Sequence, residues 1–392
     1  MFLMFAMTSD AVGSVIPRVI DEFKLSMKAA GAFHYVPMAA IATGAILFGF
    51  LADSLGRKGT ILLGLAAYGA SSLLFAFGTR FAFFVGLLAM SGVGVSIFKT
   101  GALALVGDIA RSTTQHTSLM NLIEGFFGVG AIIGPTIVAV LVTMGFSWKW
   151  LYVIAAAVCA SLIVIASCVR YPKGGRTSAE PVGLRRTLRM IRNPYALGFS
   201  LLVMLYVAVE VAVYVWMPTY LKEYRGSPAW LPAYALTVFF VLRAVGRFLS
   251  AWMLKRYSWT MLLALSGVAI FTCFVGSLIG GTGLGVFLLP LSGLFMSTIY
   301  PTLNSKGISC FTRSEHGAVA GVILFFTALA AALGPLAMAA VSDAYGDAKY
   351  GFVLASGFAS LLMLGLVFNW IANPARRRLQ QLDQADYGSA GG

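Results

Sequence analysis

The chain has 392 residues, 59% of them hydrophobic and only 11% charged, with a mean hydropathy of +0.87. A water-soluble domain carries about 25% charged residues, so the composition excludes a soluble enzyme or binding module and describes a chain dissolved in lipid. The formal charge of +14 would suit nucleic acid, but the lysines and arginines gather in short segments between apolar runs. Their partner there is a bilayer with anionic headgroups, and no nucleic acid is expected. The cysteines (Cys159, Cys168, Cys273, Cys310) lie within or beside apolar runs without C-x-x-C spacing and read as small apolar residues. His34, His116 and His316 have no second ligand at metal spacing, His116 falling in the loop between the fourth and fifth runs. There is no Walker loop or nucleophile elbow. No enzyme, metal or cofactor is expected.

Apolar runs of about 20 residues, enough to cross ~30 Å of hydrocarbon, recur twelve times: near 1–20, 32–52, 60–79, 82–107, 118–142, 150–169, 196–218, 232–254, 259–280, 285–305, 317–341 and 350–371. The first opens at Met1 without a basic lead, and no small-residue cleavage site follows, so it reads as a membrane helix and not a signal peptide. One long polar gap divides the runs six and six. It holds Arg170, Lys173, Arg176, Arg185, Arg186, Arg189 and Arg192 against Glu180. The expected layout is a six-helix bundle over 1–169, a basic cytoplasmic linker over 170–195, a second bundle over 196–371 and a tail over 372–392. Loops on the linker's side carry sixteen lysines and arginines and the opposite loops eight. Positive residues face the cytoplasm, so both termini are expected inside a cytoplasmic (inner) membrane. An internal echo supports a duplicated architecture: Phe50-Leu51 is followed by Arg57-Lys58 and then Thr60, and Phe248-Leu249 is followed at the same spacing by Lys255-Arg256 and then Thr260.

Between the second and third runs stands GFLADSLGRKG, Gly49 to Gly59. Charges cost roughly 2.5–3.5 kcal/mol each at a helix centre, so these residues mark a tight surface loop. Gly49, Leu51, Ala52, Asp53, Gly56, Arg57 and Lys58 match the pattern G-x-L-A-D-x-x-G-R-K, and the segment resembles the loop between helices 2 and 3 of the major facilitator superfamily. The resemblance implies an all-α membrane protein of twelve transmembrane helices in two pseudo-symmetric six-helix bundles. It also assigns Gly49, Asp53, Gly56, Arg57 and Lys58 to a gate that holds one conformation closed. Lys306 and Arg313 serve similarly or anchor in headgroups.

Further strings resemble the fucose/glucose:proton symporter family. Asn121 to Gly130 follows N-L-x-x-x-F-F-G-x-G, Tyr206 to Trp216 follows Y-V-x-x-E-x-x-x-x-x-W, and Phe295 to Thr302 follows F-x-S-x-x-[FY]-P-T. The family's acid in the fourth helix is Lys99 here, and its acid in the first helix is replaced by Ser14, with Asp10 about one turn away. Drug:proton antiporters are the rival. Their arginine in the fourth helix is Leu88 here, and only Gly130, Gly134 and Pro135 of their fifth-helix motif are kept.

Among the ionisable residues inside the apolar runs, Asp10, Lys99, Glu124, Glu210 and Arg243 are the candidates for function. At 1.5 Å per residue, Lys99 lies roughly 12 Å deep and Glu124 roughly 10 Å. They stand on consecutive antiparallel helices, so a Lys99–Glu124 ion pair is expected, structural or opened by proton and solute. Glu210 and Arg243 offer a counterpart pair in the second half. Asp10, Glu124 and Glu210 are the candidate proton carriers. Lys99, Asn121, Tyr206, Tyr214, Trp216, Arg243, Tyr300 and Asn304 supply the charges, donors and flat faces that a hydroxylated or anionic solute requires, with Trp216 alternatively an interfacial anchor. Tyr300-Pro301 is expected to break the tenth helix. The expected function is proton-coupled import of a sugar or related small polar solute by alternating access, in a monomer. The alternatives are proton-driven efflux of amphipathic compounds and a solute sensor that moves nothing.

Overall fold

A computed structural model describes residues 1–25, 27–172 and 184–387. Backbone polar groups in hydrocarbon have to be satisfied within their own segment, and the described residues form helices and no strand. Among the described residues ten helices are long and apolar enough to cross a membrane; a bent pair, Phe2–Ser9 with Val12–Phe23, counts as an eleventh, and Ala32–Phe48 is a shorter apolar helix that takes its place in the series as the twelfth. In chain order the spans are α1 (Phe2–Ser9 and Val12–Phe23), α2 (Ala32–Phe48), α3 (Arg57–Phe77), α4 (Phe81–Ile109), α5 (Thr113–Thr143) and α6 (Trp150–Cys168). The second six are α7 (Pro194–Glu223), α8 (Leu231–Met253), α9 (Trp259–Ile279), α10 (Gly281–Ser309), α11 (Arg313–Tyr345) and α12 (Ala348–Ala372). Among the described residues four shorter helices lie outside the spans: Met27–Ala30, Leu51–Ser54, Leu184–Ile191 in the linker and Arg376–Tyr387 in the tail. Lys173, Arg176 and Glu180 of the expected linker lie outside the described residues.

The structure divides into two compact units. One holds Met1–Ala110, Phe126–Ala196 and Phe311–Ala328; the other holds Arg111–Gly125, Leu197–Cys310 and Leu329–Gly392. In the first, α4 packs on α3 and α2, and α3 packs on α6; in the second, α10 packs on α9 and α8, and α9 packs on α12. Each pairing recurs six spans later, which is the pseudo-symmetry that the sequence echo implied. Large apolar side chains such as Ile279, Phe368 and Ile371 are exposed. Such a surface would aggregate in water and suits lipid. The interior has the opposite character on α8, where Phe239, Arg243, Gly246, Arg247 and Ser250 form a buried stripe at helical spacing.

Three local departures from the sequence expectations matter for the site. The first run is not one straight helix: α1 bends by 40° at its break, which puts Asp10 in a turn. Helix α5 starts at Thr113, so His116 is not in a loop but buried, with its Nδ1 2.6 Å from Ser305 Oγ. The break in α10 falls between Met296 and Ile299, one turn before Pro301. Proline at 301 has no N–H for the carbonyl of Ser297 and its ring crowds that group.

Gly130 and Gly134 set how closely α5 approaches α1 in the first unit. A Cβ on either would collide with the backbone carbonyl of Leu3 or Met7. Gly130→Ala is therefore expected to lower the melting temperature in detergent. Gly86→Ala in α4, where a Cβ meets nothing within 4 Å, is expected to raise it, since alanine is favoured over glycine in a helix by about 1 kcal/mol. Equal shifts of the same sign would refute the close α1–α5 packing.

Candidate functional site

In the first unit, charges converge at the loop between α2 and α3. Arg57 is buried at the start of α3. Its Nη1 donates to Asp53 Oδ1 at 2.7 Å and to Ala52 O at 2.6 Å. Its Nε donates to Asp108 Oδ2 at 2.7 Å, and its Nη2 to Arg313 O at 2.7 Å. Asp53 in turn accepts the backbone N–H groups of Gly317 (3.1 Å) and Ala318 (3.0 Å). These belong to the first turn of the helix His316–Tyr345, so a carboxylate sits on the positive end of a helix dipole. Burial pushes the Asp53 carboxyl above its ordinary value, while Arg57 and the two N–H groups pull it down. One guanidinium thus serves two carboxylates. Lys58 lies apart from this network, donating to Ser167 O at 2.6 Å at the C-terminus of α6, where a cation is favoured. Gly56 has φ +83°, a left-handed conformation that only glycine adopts cheaply. A Cβ on Gly49 would lie 3.1 Å from Gly321 Cα, so it allows α2 and α11 to cross closely. All five expected gate residues are explained. Sequence reasoning missed Asp108, although it is the remaining acid beside the α4–α5 loop.

The second unit holds two buried ion pairs. Glu210 Oε1 accepts both the Tyr206 hydroxyl at 2.6 Å and Arg243 Nη1 at 2.7 Å. This joins α7 to α8 as expected. Arg243 also faces the ring of Phe240, 5.0 Å from its centroid. One turn further along α8, Arg247 Nη1 donates to the Glu124 carbonyl at 2.8 Å, and its Nη2 lies 3.5 Å from Glu124 Oε2. The expected Lys99–Glu124 ion pair is therefore corrected: Glu124 takes Arg247. The face of α5 that carries Glu124 meets α8. What α5 presents to Lys99 is Phe127, and in the first unit the ammonium lies 5.4, 5.6 and 5.5 Å from the ring centroids of Phe2, Phe5 and Phe127. Arg247 was not among the expected site residues. Its spacing of four from Arg243 puts both on one helix face, a signal that was available.

Around these pairs, Asn121 donates to Thr117 O at 3.0 Å and to Thr302 Oγ1 at 3.4 Å, and its Oδ1 has no hydrogen-bond partner. Glu124 Oε1 and Trp216 Nε1 are likewise buried without a partner. The rings of Tyr206 and Tyr300 are 6.2 Å apart, as are those of Tyr214 and Phe240. Asn304 spends its amide on Tyr300 O at 3.2 Å. Just beyond Glu210 the helix widens into a π turn, Ala212–Trp216. Pro218 explains it, because its ring would strike the carbonyl of residue 214 in a regular helix. Asp10, in the first unit, stands half-buried in the α1 break and accepts the Ser9 hydroxyl at 3.1 Å.

The family model described as Major Facilitator Superfamily matches residues 1–335. The chain is similar to the L-fucose-proton symporter of Escherichia coli (strain K12), with 24% identity over 88% of this chain and 86% of that protein. It is also similar to an uncharacterized MFS-type transporter of Burkholderia mallei (strain SAVP1), with 30% identity over 85% of this chain and 81% of that one. The crystal structure of FucP, a transporter of the same superfamily in the outward conformation, shares the fold: the TM-score is 0.77 at 20% identity, covering 94% of this chain and 97% of that one.

The Glu124–Arg247 pairing makes a thermodynamic prediction. Removing one member of a buried pair typically costs ~3–5 kcal/mol, whereas replacing both is far milder. Arg247→Gln should lower the melting temperature of the purified protein markedly, and Glu124→Gln added to it should restore most of the loss. A double variant no more stable than Arg247→Gln alone would show that the two groups are not coupled.

Proposed function

The chain belongs to the Major Facilitator Superfamily, and we propose that this transporter couples import of a sugar or related small polar solute, neutral or anionic, to a proton gradient by alternating access. In this reading it acts as a monomer in a cytoplasmic (inner) membrane with both termini inside, an orientation that sixteen against eight loop cations support. The similarity to a fucose–proton symporter supports the substrate class and the coupling ion.

The observation that carries the proposal is the single Glu210 oxygen shared by Tyr206 and Arg243. A proton arriving on Glu210 cancels the charge that Arg243 answers. The guanidinium then needs another acceptor, and a solute hydroxyl or carboxylate supplies it. Glu124 and Arg247 repeat the arrangement one turn away. The free Asn121 Oδ1 and Trp216 Nε1 offer an acceptor and a donor to a hydroxylated ring, and Tyr206, Tyr214 and Tyr300 offer flat faces. Lys99 adds a cation for an anionic solute. Asp10, half-buried at a helix break, is a further candidate for proton exchange beside Glu210 and Glu124. In the efflux reading, Gly130 and Gly134 would be a signature of antiport; here close packing on α1 accounts for them.

Asp53→Asn should leave expression and membrane insertion intact while slowing uptake at least tenfold, because the Arg57 contact and the charge on the α11 N-terminus are lost together. Uptake at the wild-type rate would show that the Asp53–Arg57 network does not control exchange between conformations. Asp10→Asn should keep solute binding and exchange but abolish accumulation. The measurement is uptake into proteoliposomes under an imposed pH gradient. If Asp10→Asn still concentrates solute, the coupling role passes to Glu210 or Glu124. If the wild type ignores the pH gradient, proton symport is wrong.

A further inference from the structure

The tail helix Arg376–Tyr387 is short, polar and outside the spans, yet it is fastened to the second unit at both ends of a seam. Asp383 Oδ1 accepts the backbone N–H of Thr113 at 3.0 Å, which puts a carboxylate on the positive end of the 31-residue helix α5. Arg378 Nε donates to Cys310 O at 3.1 Å, placing a guanidinium on the negative end of α10. Ala375, Leu379 and Leu382 are buried beneath the helix. The seam that it covers is polar. Thr113 O accepts Lys306 Nζ at 3.3 Å, and Ser305 Oγ lies 2.6 Å from His116 Nδ1 and 2.9 Å from Thr117 Oγ1. The Thr113 peptide is thus held from two sides, by the tail through its N–H and by α10 through its carbonyl.

We propose that the C-terminal helix is a strap that locks the adjoining ends of α5 and α10 together, so that these ends part only after Asp383 and Arg378 let go. Its attachment is built for release. Two charge-assisted hydrogen bonds and a few apolar side chains at a water-facing end are far weaker than a packed span, while the dipoles of two long helices give the strap a defined position. Removing the strap should make separation of α5 from α10 faster and more frequent. The inference concerns this seam alone and does not depend on which solute or ion is carried.

Cys310 is the reporter. Its side chain is fully buried, and burial pushes its thiol up to about 12, with Arg378 and Lys306 pulling the other way. An exposed cysteine has a pKa of about 8.5, so release of the strap should convert an inert thiol into a reactive one. With Cys159, Cys168 and Cys273 replaced by serine, maleimide labelling of the purified full-length protein gives the rate. Asp383→Asn and Arg378→Gln should each raise it severalfold, and the double variant should raise it further. Arg376→Gln, outside these contacts, should leave it unchanged. Arg378→Gln is the decisive variant, because losing that cation without exposure would make the buried thiol less reactive, not more. A labelling rate that stays flat or falls in Asp383→Asn and Arg378→Gln, with melting temperatures near the parent's, overturns the strap. A rate that rises in step with a general loss of thermal stability also overturns it, since the tail would then be only a structural cap.

Discussion

Hydrocarbon offers no hydrogen bonds, so each charge that this chain carries into the membrane has to be answered by another group of the same protein. That constraint organises the second unit. Arg243 and Arg247 stand on the buried stripe of α8, each meeting a carboxylate from a neighbouring span, Glu210 from α7 and Glu124 from α5. Such pairs contribute little net stability, because desolvation consumes most of the Coulombic gain, but breaking one is costly. A transporter uses that asymmetry. In the cycle proposed above, a proton or a solute that replaces one partner removes the penalty for parting, which would make release of these pairs conditional on ligand.

At the ends of the spans the answer differs. Asp53 takes two N–H groups of α11, Lys58 the last carbonyls of α6, Asp383 the first N–H of α5, and Arg378 a carbonyl at the end of α10. In every case the sign of the side chain opposes the helix dipole. Arg57 is the exception that stiffens the set, since its guanidinium is buried and spans two carboxylates and two carbonyls.

The fold was legible because hydropathy reports burial in lipid directly: twelve runs became twelve spans, and their six-fold offset pairing follows the repeated Arg-Lys and Lys-Arg turns. The direction in which a side chain points was not. Each residue turns a helix by about 100°, and which neighbour a given face meets depends on packing that a run of apolar letters does not encode. This is why Glu210–Arg243 was foreseen and Lys99–Glu124 was misassigned. Helix ends were read short by several residues at α5, because Thr113 to Thr117 look polar while forming the first turns. Asp108 went unnoticed for a related reason: it lies at the edge of a run, where an acid attracts no attention until Arg57 is seen to reach it.

The irregular backbone falls in corresponding spans of the two repeats. The break in α1 holds Asp10, and the π turn of α7, its counterpart six spans on, begins two residues after Glu210. The break in α10 comes just before Tyr300, whose ring faces Tyr206. Non-helical backbone at membrane depth is tolerated only where protein or a wet cavity satisfies the freed groups. A repeat that kept its helices regular would have no need of Pro218 or Pro301. Their presence beside the ionisable residues ties backbone polarity and side-chain charge to one place. For the hydroxylated solute proposed above, carbonyls freed at Pro218 and Pro301 would be acceptors on the same spans as the site, beside the donors of Arg243 and Arg247.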